Sequence, residues 1–61
     1  MERRLLTPDE LVARWEGAVT TRTLANWRAA GRGPSFTKIG RSVRYRLEDI
    51  ITYEEATRHE H

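Results

Sequence analysis

The run Gly31-Arg32-Gly33-Pro34 divides the chain into two parts that cannot share one secondary-structure element. Pro34 has no backbone N–H and pushes the residue before it out of the helical region, and Gly33 adds a flexible link. A helix arriving from the N-terminal side therefore stops near Gly31, and a different kind of structure begins beyond Pro34.

Upstream of the break the pattern is helical. Thr7-Pro8-Asp9-Glu10 carries a capping threonine, a proline suited to the first helical position and a glutamate three residues after the cap. Leu6 can staple to Leu11, and Leu11, Val12 and Trp15 form one apolar face that Gly17 ends, so a first helix is predicted over residues 8 to 15. Thr20 is the N-cap of a second helix over 21 to 30, with Leu24 and Trp27 on one face and Gly31 at its C-terminus. Both tryptophans are expected in the core.

Downstream, residues 35 to 46 hold two short runs of strand formers around Gly40-Arg41, the pattern of a β-hairpin. With those two residues as the turn, Phe36 opposes Tyr45 and Lys38 opposes Val43 on one face, leaving Thr37 and Arg44 on the other. An isolated hairpin is barely stable in water, so Phe36, Val43 and Tyr45 are expected to pack on the helices. Leu47, Ile50, Ile51 and Glu54 then follow helical spacing, with Glu48 and Asp49 near the positive end of the helix dipole, predicting a third helix over 47 to 57. The tail from Arg58 to His61 is expected to fray. The fold class is mainly α with a small β-hairpin, in the order helix, helix, hairpin, helix, as one domain over residues 1–61.

A chain of 61 residues buries only about 60% of the surface its unfolded form exposes, so marginal stability is expected. There is no cysteine, and the two histidines, His59 and His61, stand at the C-terminal end. Neither a disulfide nor a metal staple is available, and no cofactor or small-molecule substrate is expected. No nucleophile stands beside a base, so an enzyme is not expected. No apolar run is long enough to cross a bilayer or serve as a signal peptide, and the expected location is the cytoplasm.

Charge is the strongest functional signal. Residues 17 to 47 contain no Asp or Glu but include Arg22, Arg28, Arg32, Lys38, Arg41, Arg44 and Arg46, a charge of +7. Outside that segment four arginines meet nine acids, a charge of −5, and the two parts restore the net +2. A localised positive field attracts polyanions and gains free energy by releasing counterions from nucleic acid. Two short helices joined by a tight turn let the second project into a DNA major groove. At 100° per residue, the face of the second helix opposite Leu24 and Trp27 holds Arg22, Ala25, Asn26 and Ala29. Arginine pairs with guanine and asparagine with adenine in the major groove, and the alanines allow close approach, so Arg22 and Asn26 are the candidate base readers. Thr20, Thr21 and Thr23 surround the helix N-terminus, where hydroxyls and backbone donors can hold a phosphate. Arg28 and Arg32 are backbone contacts on this reading, and Lys38, Arg41 and Arg44, with Arg46 at the base, form a cationic hairpin suited to a phosphate strand or a minor groove.

The segments LLTPDELVARW, VTTRTLANWRAAGRGP and FTKIGRSVRYRLEDI together resemble the MerR-like winged helix-turn-helix of small excisionases from phages and integrative elements. The resemblance covers residues 5 to 53. It implies a recognition helix contacting DNA through Thr21, Arg22, Thr23, Asn26 and Arg28, a wing contacting it through Lys38, Arg41 and Arg44, and a last helix that completes the core. It further implies a recombination directionality factor in the host nucleoid that binds double-stranded DNA cooperatively, head to tail, bends it beside an attachment site and assists a phage integrase. One departure concerns the link between the helices. Related sequences often use Leu-Gly-Val-Ser, whereas Trp15-Glu16-Gly17-Ala18-Val19-Thr20 has an added residue. MerR regulators proper add a long dimerisation helix and a sensor region for which these residues have no room, favouring the excisionase expectation. A small transcriptional regulator on the same fold and a basic adaptor for an acidic protein are the alternatives.

Overall fold

The computed structural model describes residues 4–58. Its elements follow in the order β1 (Leu5–Leu6), α1 (Pro8–Arg14), α2 (Thr21–Ala30), β2 (Thr37–Ile39), β3 (Ser42–Arg46) and α3 (Leu47–Ala56). The described residues thus form a mixed α/β structure of three helices and a small antiparallel sheet with strand order β1-β3-β2. The order helix, helix, hairpin, helix agrees with the sequence reading, and the sheet gains a third strand that the sequence did not reveal. Leu6, expected to staple α1, lies in that strand opposite Tyr45, while Leu5 lies opposite Arg46. The expected fraying of the tail concerns, for His59 to His61, positions outside the described residues.

Local chemistry explains the helix boundaries. The Thr7 side chain accepts from the Glu10 backbone N–H at 3.0 Å and the Glu10 carboxylate accepts from the Thr7 N–H at 2.9 Å, closing the capping box at the start of α1. At the other end, the Glu16 N–H reaches the Ala13 carbonyl and the Gly17 N–H reaches the Val12 carbonyl, both at 3.0 Å, the two bonds of a Schellman ending. The left-handed residue that such an ending requires is Glu16, with φ 55°, followed by Gly17 with φ 77°. Helix α1 therefore stops one residue earlier than Gly17 alone would dictate. Helix α2 ends the same way, with Gly31 at φ 71°.

In the hairpin Thr37 pairs with Arg44, Lys38 with Val43 and Ile39 with Ser42, the expected register. Gly40, at φ 64°, supplies the positive φ at the first turn position, and Arg41 has none, as in a type II′ turn.

The core draws one buried side chain from each of five elements: Leu6 from β1, Leu11 from α1, Leu24 from α2, Tyr45 from β3 and Ile50 from α3. Trp15, Trp27, Val43 and Leu47 pack around them half-buried. Both tryptophans lie beside Tyr53, with ring centroids 5.9 and 6.1 Å apart, at the core's edge rather than its centre. A Cβ on Gly33 would stand 2.7 Å from the Trp27 ring, so the chain passes flat over that indole only because position 33 has no side chain. Phe36, expected to pack on the helices, is 41% exposed, and Ile51 on α3 is 42% exposed.

Candidate nucleic-acid interface

Helix α2 sits with Leu24 fully buried and Trp27 and Arg28 half-buried, which turns Thr21, Arg22, Ala25, Asn26 and Ala29 toward solvent. The exposed strip is the one that helical periodicity selects. Arg22 and Asn26 stand four residues apart, one turn along the same face. Neither makes a side-chain hydrogen bond or ion pair among the described residues.

The three threonines divide by role. Thr20 caps α2, its Oγ1 accepting from the Thr23 N–H at 3.1 Å and lying 3.1 Å from the Thr23 hydroxyl. Those two hydroxyls are therefore engaged with the helix start, and Thr21 alone offers a free hydroxyl there. No acid lies in the first turn of α2, so its positive dipole end has no carboxylate beside it, and the Thr21 and Arg22 backbone N–H groups stay unpaired among the described residues.

Arg28 takes a different position from that expected of a groove or phosphate contact. Its Nη1 donates to the Tyr45 hydroxyl at 2.7 Å, and its guanidinium stands 5.8 Å from the centre of the Phe36 ring and 6.0 Å from that of Tyr45. It therefore ties α2 to the hairpin, bonding the hydroxyl of the buried Tyr45 and lying over one face of the exposed Phe36 ring. Arg46 is drawn toward the start of α3, 3.9 Å from Glu48 and 3.7 Å from Asp49. These acids stabilise the helix N-terminus and place negative charge beside Arg46, setting it apart from the other cations of the hairpin.

Arg22, Arg32, Lys38 and Arg41 remain exposed and form no ion pair among the described residues. Arg44 donates to the Val43 carbonyl at 2.7 Å and keeps its charge without an acidic neighbour. The strand register distributes these groups around the hairpin. Arg44 points away from the helices with Thr37, Ile39 and Ser42, Lys38 shares the opposite side with Val43, and Arg41 occupies the turn.

A tightly built ion pair joins α1 and α3. Arg14 grips Glu54 through two bonds, Nε to Oε2 at 2.8 Å and Nη2 to Oε1 at 2.9 Å, and the Trp15 indole N–H adds a third at 2.6 Å. The Arg14 bonds, then the indole bond, hold the Glu54 carboxyl down at about 2. This cluster fastens α1 to α3 and removes Arg14 from the pool of available cations. Among the described residues no group of acids, histidines or cysteines could hold a metal ion, and no helix is long and apolar enough to cross a membrane.

No family model, curated protein or solved structure matches the chain.

Proposed function

We propose that the chain is a sequence-specific DNA-binding protein of the winged helix-turn-helix type, with α2 as the recognition helix and the β2–β3 hairpin as the wing, working as an excisionase. The observation that carries the DNA-binding reading is the joint exposure of Arg22 and Asn26 on α2 and of Arg32, Lys38 and Arg41 nearby in sequence, all within the acid-free segment. The excisionase role rests on the sequence resemblance.

In this reading Arg22 and Asn26 meet base edges, and the Thr21 and Arg22 backbone N–H groups, with the Thr21 hydroxyl, hold a phosphate. Arg32, Lys38, Arg41 and Arg44 supply sequence-independent attraction, and four such contacts give a slope of about −4 in log affinity against log salt. Arg28 and Arg46 act indirectly, by fixing the hairpin against α2 and α3. The protein supplies no chemistry of its own: copies bind neighbouring sites head to tail and bend the attachment-site DNA into the form that the integrase excises.

The test is binding to a labelled attachment-site fragment against random DNA of equal length, at two salt concentrations, with Arg22→Ala and Arg44→Ala beside the parent. Stepwise, salt-sensitive shifts specific to the site and weakened by both changes are expected. Equal weak binding to both DNAs would reduce the function to nonspecific charge, and absence of binding would overturn it.

A further inference from the structure

Among the described residues four large apolar side chains are exposed, and their surroundings differ. Leu5 lies opposite Arg46 at the far side of the sheet, and Phe36 packs beside Tyr45 with the Arg28 guanidinium over one face of its ring. Ile51 lies on α3, one turn from Glu48, Glu54 and Glu55, where a polyanion is repelled. Ile39 is the most exposed of the four, at 55%, and stands next to the turn with Lys38 before it, Arg41 and Ser42 after it and Arg44 on the same side of the sheet.

An isolated exposed isoleucine needs no explanation in itself. An apolar side chain enclosed by cations at the narrow end of a hairpin has a chemical counterpart, namely the minor groove of DNA, whose walls are apolar sugar faces between two rows of phosphate. The two strands of a hairpin lie about 4.8 Å apart, and with their side chains they exceed a minor groove that is about 6 Å wide. Such a tip enters only by opening the groove, which is easiest at flexible pyrimidine–purine steps and is aided by an apolar wedge that partly unstacks the bases. Isoleucine is stiff at χ1, so holding it there costs little side-chain freedom.

We propose that Ile39 is the wedge that seats the hairpin tip in the minor groove and kinks the duplex, with Lys38 and Arg41 holding the flanking phosphates. This rests on the DNA-binding reading and assigns the bend to one side chain. The experiment uses a duplex that the protein itself selects from a randomised pool, labelled at both ends for energy transfer, with the parent chain, Ile39→Ala and Ile39→Leu. The parent brings the duplex ends together. Ile39→Ala binds roughly tenfold more weakly and leaves the ends as far apart as in free DNA, because most of the apolar contact is gone. Ile39→Leu restores the bend. If Ile39→Ala bends the duplex as the parent does, or if the parent binds its selected duplex and leaves it straight, the wedge is wrong while the DNA-binding reading stands. If the parent selects no sequence from the pool and binds no duplex, the DNA-binding reading fails and the wedge with it.

Discussion

Replacing Glu16 by glycine should make the protein more stable, although it removes a charged side chain and adds no contact. Glu16 holds φ 55° to complete the ending of α1, and its side chain has no hydrogen bond or ion pair among the described residues. A residue with a Cβ pays roughly 1–2 kcal/mol in the left-handed region. Glycine avoids that cost but loses roughly 0.5–1 kcal/mol through the greater freedom of its unfolded chain. The difference favours Glu16→Gly by about 0.5–1 kcal/mol, which for a domain of this size raises Tm by roughly 4–8 °C. The neighbouring position supplies the opposite sign. Gly17 has φ 77°, and an added Cβ there meets nothing within 4 Å, so Gly17→Ala tests backbone strain alone. It should destabilise by about 1 kcal/mol. Glu16→Ala, which keeps the Cβ, should stay within about 0.5 kcal/mol of the parent. The assay is reversible thermal and urea unfolding followed by tryptophan fluorescence and far-UV circular dichroism. If Glu16→Gly melts no higher than Glu16→Ala, no recoverable strain is stored at that position and the reasoning fails.

The Glu54 cluster sets an acid limit. Because its carboxyl is held at about 2, below the usual 4.5, its contribution to stability is fully present above the unfolded value and is lost as pH falls from there toward the folded value. Melting temperatures across that interval should drop more steeply for the parent than for Glu54→Gln, and parallel curves would refute the assignment. Arg28→Met keeps an aliphatic stem over Phe36 but loses the bond to Tyr45, and should cost about 1–2 kcal/mol of stability while leaving the salt slope of DNA binding unchanged. An unchanged Tm with a slope smaller by about one unit would instead make Arg28 a phosphate contact.

Much of the secondary structure was legible because its determinants are local. The capping box of Thr7 and Glu10, the Thr20 cap, the Gly31 ending and the Gly40-Arg41 turn each act over a few residues, and the boundaries of all three helices follow within one residue. The outward strip of α2 was equally legible, because Leu24 and Trp27 orient the helix and periodicity does the rest. The cationic segment could be located but its members could not be sorted. Which arginines remain available depends on partners distant in sequence: Tyr45 for Arg28, 17 residues away, and Glu54 for Arg14, 40 residues away.

The sequence by itself determined where helices start and stop, which turn closes the hairpin and where positive charge accumulates, since these depend on backbone dihedrals, local hydrogen bonds and composition. Tertiary structure alone decided that Leu5–Leu6 forms a third strand, because two residues carry no periodicity and gain a ladder only when β3 is placed beside them. It also decided that Phe36 and Ile51 stay exposed and that Arg14 and Arg28 become fasteners between elements. Burial and charge pairing are settled by which surfaces meet, and that is a property of the packed chain rather than of any segment within it.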